Sequence, residues 1–233
     1  MLRLTEIKLP LNHTDDELPA AIVNKLAIAP DALLGFTVFK RSYDARKKAN
    51  ILLIYQLDVE LTEAVEQAVL EKFARQSFVK PSPDASYHFV AQAASDFPTG
   101  DQQRPVIIGF GPAGIMAALV LAQMGLKPIV LERGKDVRQR TKDTWGLWRE
   151  RKLNTESNVQ FGEGGALPFS DGTLSHPFND PLYFGRTLLP QFVKAGAPAE
   201  IMSVPQPHTG PFTPVHMRVH LHAPILLLPC SPL

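Results

Sequence analysis

Val106-Ile107-Ile108-Gly109-Phe110-Gly111-Pro112-Ala113-Gly114 runs on through an apolar segment from Ile115 to Gly125 and closes with Ile129-Val130-Leu131-Glu132-Arg133-Gly134. The order is strand, glycine turn, helix, strand, acid, the context that gives a GxGxxG spacing its meaning. Each residue type has a job. Gly109 permits the tight turn out of the first strand, Gly111 lets a pyrophosphate approach the backbone, and Gly114 lets the helix pack close to the sheet. Pro112 and Ala113 open the helix, where the missing proline N–H costs nothing and the free amides and dipole face an anion. Glu132 follows Gly109 by 132 − 109 = 23 positions, where a carboxylate can accept hydrogen bonds from an adenosine ribose. An acid there favours a free 2′-hydroxyl, hence FAD or NAD over NADP, with Arg133 alongside pulling slightly the other way.

Composition bounds the rest. The chain has 233 residues, 45% of them hydrophobic, enough for one large or two small globular domains. Its 24 Lys and Arg against 23 Asp and Glu give no charge bias that calls for nucleic acid or an acidic membrane. One cysteine, Cys230, excludes a disulfide framework or a thiolate cluster within the chain. Met1 to Pro10 lacks the apolar core of a signal peptide, and Ile115 to Gly125 is too short to span a bilayer, so a cytoplasmic protein is the expectation.

Residues 1–100 read as a separate small domain. Leu2 to Leu9 is strand-like, and Thr14-Asp15-Asp16-Glu17 is a capping box ahead of a helix with Leu18, Ile22 and Leu26 on one face. Ala32 to Lys40 and Asn50 to Leu61 read as strands, the second alternating Leu53, Tyr55, Leu57 and Val59. Thr62 can cap a helix with Val65, Val69 and Phe73 inward, and a last strand is expected around Tyr87 to Val90. The βαββαβ order suggests a ferredoxin-like α+β layout. Lys40 to Lys48, a basic connection with five cations in nine residues, reads either as a binding patch or as a solvated hairpin end. The strands offer none of the stacking aromatics a sheet-based RNA binder uses.

After the glycine stretch, Lys135 to Lys152 is rich in cations and places Trp145 and Trp148 on one helical face, for which packing against the sheet is expected. Asn158 to Ala166 then sets Gly162, Gly164 and Gly165 within four positions, a loop able to lie flat against a planar ligand or phosphate. Glu163 and Asp171 are the nearest acids, both equally readable as loop acids in water; no catalytic residue follows from them.

The glycine stretch, the segment Asn154 to Gly165 and the upstream Lys40 to Lys48 together resemble a family of long bacterial FAD-dependent dehydrogenases, over roughly residues 1–200. That family joins a small N-terminal α/β domain to a two-dinucleotide-type flavin fold. The resemblance implies FAD, with Gly109, Gly111 and Gly114 at the pyrophosphate, Glu132 at the adenosine ribose, and the loop of Gly162, Gly164 and Gly165 near the flavin; Pro112, Ala113 and Arg133 are the remaining expected cofactor-binding residues. NAD is the alternative, and the substrate would be an unidentified small molecule. Three features depart from the family pattern. Leu167 and Pro168 stand where a glycine and a small polar residue are expected, the family chain is more than twice as long, and the sequence after about His208 no longer resembles a flavoprotein. The expected domains are residues 1–100, an incomplete Rossmann-like domain over 101–200, and an irregular tail over 201–233 such as an out-of-frame end after truncation would leave. Prolines break that tail repeatedly. His216, His220 and His222 alternate there, but no partner acid or second cysteine supports a metal. An alternative to the flavoenzyme is a non-catalytic fragment binding through Lys40 to Lys48. On either reading one βαβ unit holds only half of FAD, so weak binding or none is expected of this chain alone.

Overall fold

The computed structural model describes residues 1–170, 172–173, 180, 183–205 and 226–229. The fold is mixed α/β and divides into two compact units, Met1–Ala85 with Glu200–Pro207 and Ser86–Ala199 with His208–Leu233.

In the first unit β1 (Leu2–Pro10), α1 (Glu17–Leu26), β2 (Leu33–Asp44), β3 (Leu52–Leu61), α2 (Glu63–Lys72) and β4 (Val79–Pro81) follow in order. The strands form one antiparallel sheet in the order β2-β3-β1-β4. Alternation decides its inner face. Leu53, Tyr55, Leu57, Val59 and Leu61 of β3 meet Leu2, Leu4, Ile7 and Leu9 of β1, and Leu18, Ile22 and Leu26 of α1 close over them with Val69 of α2. Glu6 has φ +60° and sits in a register shift between Leu4 and Ile7, which returns Ile7 to the inner face. The start of α1 is half a capping box: Glu17 accepts from the Thr14 amide at 3.2 Å, but Asp16 is the N-cap and its side chain caps nothing.

Two expectations shift here. The last strand is Val79–Pro81, paired with β1, and not Tyr87 to Val90. Tyr87 and Phe89 instead meet edge to face at 5.1 Å in an irregular stretch, so their alternation reflects a local aromatic pair. Strand β2 runs on to Asp44, which makes Lys40 to Tyr43 strand residues paired with β3.

The second unit contains a parallel sheet in the order β5-β6-β7, from β5 (Val106–Ile108), β6 (Ile129–Glu132) and β7 (Leu226–Pro229). α3 (Pro112–Gln123) connects β5 to β6, α4 (Val137–Glu150) follows β6, and α5 (Phe184–Lys194) comes later. Strand β7 corrects the reading of Leu226–Pro229 as part of an irregular tail. Its apolar run pairs with β6 from Ile129↔Leu226 to Glu132↔Pro229, and a terminal Pro needs no amide partner there. His216, His220 and His222 lie outside the described residues.

Candidate functional site

The glycine turn lies between β5 and α3. Gly109 donates to the Leu131 carbonyl at 2.7 Å and has φ +96°, a conformation that suits glycine and lets the chain leave the strand sharply. Gly114 is needed for space, because a Cβ there would sit 2.1 Å from the Gly109 carbonyl oxygen. Gly111 is different. Its φ is −80°, and an added Cβ would make only an ordinary 3.8 Å contact with the Gly165 Cα. Nothing in the fold itself demands glycine at position 111.

The second glycine segment is folded onto the first. Gly164 donates to the Phe110 carbonyl at 2.8 Å, and a Cβ on Gly165 would meet Pro112 Cδ at 3.1 Å and Gly111 Cα at 3.2 Å. Gly162 lies under Gly134, whose added Cβ would approach the Gly162 Cα to 2.3 Å. Two motifs separated by about fifty residues in sequence thus share one surface at the start of α3.

The carboxylate of Glu132, buried at the end of β6, ties this surface together. One oxygen accepts the Phe110 amide at 2.7 Å and the other the Gly134 amide at 2.8 Å. Each carboxylate oxygen retains a further acceptor site. Arg133 places its guanidinium 3.7 Å over the Phe161 ring, with Nε 3.7 Å from Glu156. The strand end and the Asn154 to Gly165 segment are in this way held on one side.

Arg140, which the sequence reading passed over, anchors that segment. The side chain is fully buried and donates to the carbonyls of Asn158, Val159, Gly162 and Glu163. Burial lowers the affinity of its guanidinium for the proton, opposed by the carboxylates of Glu132 and Glu163. The signal lay in helical spacing: Val137, Arg140 and Thr144 form the buried stripe of α4. That stripe also corrects the placement of the indoles. Trp145 and Trp148 do share a face, 5.2 Å apart edge to face, but remain 44% and 54% exposed, with Arg149 stacked 4.5 Å over Trp145. On the next turn Asp143 pairs with Lys135 at 2.9 Å. Burial raises its carboxyl, and the Lys135 ammonium, with the polar side chains of Ser157 and Asn154 nearby, outweighs that and holds it below the usual carboxylate range.

Glu163 is no loop acid in water. It is buried and accepts the Val137 amide at 2.9 Å, while Asp136 accepts from Arg138 and Gln139 at 2.9 and 3.2 Å. Two carboxylates therefore occupy the first amides of α4. No side chain caps α3, whose N-cap is Gly111 and whose first residue is Pro112. Of the two helix starts at this surface, one is capped by carboxylates of the protein and the other carries no side-chain cap. Pro168, in a short 3₁₀ turn, packs against Gly164, where an added Cβ would lie 2.8 Å from its ring. Asp171 lies outside the described residues.

Elsewhere, Arg46 of the basic segment is turned back on Asp44 at 2.6 Å and holds that carboxyl down at about 2. Among the described residues no group of three or more His, Cys, Asp or Glu could hold a metal ion, and no helix is long and apolar enough to cross a membrane.

Residues 1–60 match the model of a domain of unknown function, DUF8436. An uncharacterized protein of Clostridium beijerinckii (strain ATCC 51743 / NCIMB 8052) is 39% identical over 212 residues, which is 90% of this chain and 38% of the relative. The chain therefore spans well under half the length of the relative it matches.

Proposed function

We propose that the second unit is the adenosine-diphosphate half of an FAD site, and that the chain derives from an FAD-dependent oxidoreductase acting on a small molecule. The observation that carries this reading is the folding of Gly162 to Gly165 onto the Gly109 to Gly114 turn at the uncapped start of α3. Parallel pairing of β5 and β6 across α3 supports a Rossmann-like unit, and the βαββαβ order with its 2-3-1-4 sheet supports a ferredoxin-like first unit.

In this reading the amides of the first turn of α3 receive the pyrophosphate. The remaining acceptor sites of Glu132 meet the ribose hydroxyls, and the flat glycine loop excludes water from one side. Flavin, when bound, supplies hydride or electron transfer. This chain's own contribution is to bind and orient its nucleotide end. NAD fits the same contacts and is the alternative ligand. A binding role through Lys40 to Lys48 has weaker support, because Lys40 to Asp44 belong to β2 and Arg46 is paired with Asp44.

Gly111→Ala provides the test, since the backbone and the space around Gly111 accept a methyl group while an approaching phosphate would not. Quenching of FAD fluorescence by the purified chain should be saturable and reversed by ADP. The variant should melt at the same temperature and bind on the order of tenfold more weakly, the effect of losing about 1.4 kcal/mol. Equal binding by parent and variant would sink the proposal, and so would an unchanged FAD signal from a protein that also fails to bind ADP, the part of the ligand this unit would hold.

A further inference from the structure

Residues 153–166 contain neither helix nor strand, so their carbonyls lack the partners that a ladder or a helical turn supplies. Four of these carbonyls are met by one side chain. Arg140 Nε and Nη2 reach the Asn158 oxygen at 3.1 and 2.9 Å, Nη2 reaches Val159 at 2.8 Å, and Nη1 reaches Gly162 at 3.2 Å and also Glu163. A planar guanidinium with five donors can serve both sides of the bend at once; an ammonium, with its three donors on one atom, cannot. The glycine at position 162 belongs to the same arrangement. A Cβ there would stand 2.8 Å from Arg140 Cδ and 2.9 Å from its Nε, so the missing side chain makes room for the arginine. Gly165 differs, since its Cβ would meet Pro112 and Gly111 at the start of α3.

We propose that Arg140 is a positioning residue for the ligand surface: it fixes the loop of residues 158–165 against the start of α3 before any ligand arrives, and Gly162 is glycine to admit it. Because the arginine is fully buried, it acts only through the loop. Its charge is balanced in place by the carboxylates of Glu132 and Glu163. The inference rests on the FAD reading and adds to it how the surface is kept ready: a loop ordered beforehand spares the ligand the entropy of ordering it.

Arg140→Lys in the full chain is the test, because it keeps the charge and removes the fork. Amide exchange reads the loop without a ligand. The amides of Glu163, Gly164 and Gly165, which donate to the Lys135, Phe110 and Gly162 carbonyls, should exchange on the order of tenfold faster in the variant, while the β5–β6 ladder keeps its protection. ADP binding, measured by calorimetry, should weaken by about the same factor, since apparent affinity falls with the fraction of chains whose loop is in place. Equal loop exchange in the two proteins would overturn the inference. So would loss of loop and ladder protection together, which would make Arg140 a support of the whole unit, and so would faster loop exchange with unchanged ADP affinity. A parent chain that binds neither ADP nor FAD would instead remove the FAD reading itself, and the inference with it.

Discussion

A methyl group on Gly114 would lie 2.1 Å from the Gly109 carbonyl oxygen and 3.0 Å from its carbon, both rigid backbone atoms. No rotamer relieves this, so α3 would have to lift from β5. Gly114→Ala should cost roughly 3 kcal/mol, the upper end of overpacking penalties, seen as a lower urea midpoint for the second unit. A variant as stable as the parent would show that the helix is not held where the structure puts it. Glu132 presents the opposite problem, a loss of acceptors. Glu132→Gln keeps the shape but turns an NH₂ toward the Phe110 or Gly134 amide, and leaving one buried amide unmet should cost about 1–3 kcal/mol. Chemical denaturation of the two proteins under the same conditions checks it; equal stability would mean that the clamp is dispensable. The glycine spacing made the task of Gly114 readable in the sequence. The clamp by Glu132 was not, because its partners are main-chain amides, which no sequence pattern distinguishes.

Element α4 shows why periodicity alone can choose the wrong side of a helix. Its spacing put Trp145 and Trp148 together correctly, but the inward stripe is Val137, Arg140 and Thr144. Hydrophobicity ranks a buried arginine last, and only the carbonyls of residues 158–163, gathered by the fold, make Arg140 an inward residue. The strands behave similarly. β1 and β3 alternate against a nearby core and were legible from their own residues, whereas the four residues of β7 pair with residues 226 − 129 = 97 positions earlier. Gly146 belongs to neither stripe by necessity. It lies inside α4 with nothing within 4 Å of an added Cβ. Gly146→Ala should stabilise the second unit by roughly 0.5–1 kcal/mol through reduced freedom of the unfolded chain. A thermal melt measures it, and a lowered midpoint would mean that the open side of α4 is occupied.

For the whole molecule, the question is which stretch of chain carries a complete core. The buried set of the first unit is drawn from Leu2 to Val79, and its sheet closes with β4 on β1. The DUF8436 match ends at residue 60, inside β3, before α2 and β4. A fragment stopping there would leave Leu4 without Val79 across the β1–β4 ladder, and the inner face without Val69. Strand edges left open in this way, over a core already small for independent folding, do not make a stable domain. Residues 1–85 should accordingly unfold in one cooperative urea transition, while residues 1–60 should show no such transition. The Arg41 amide, which meets the Ser203 carbonyl in the intact chain, would turn to water in the longer fragment at little cost because it lies on the edge strand β2. Circular dichroism across a denaturant series decides the matter. A cooperative 1–60 fragment would place the folding unit where the sequence match ends, and a non-cooperative 1–85 fragment would show that the first core depends on chain from beyond Ala85.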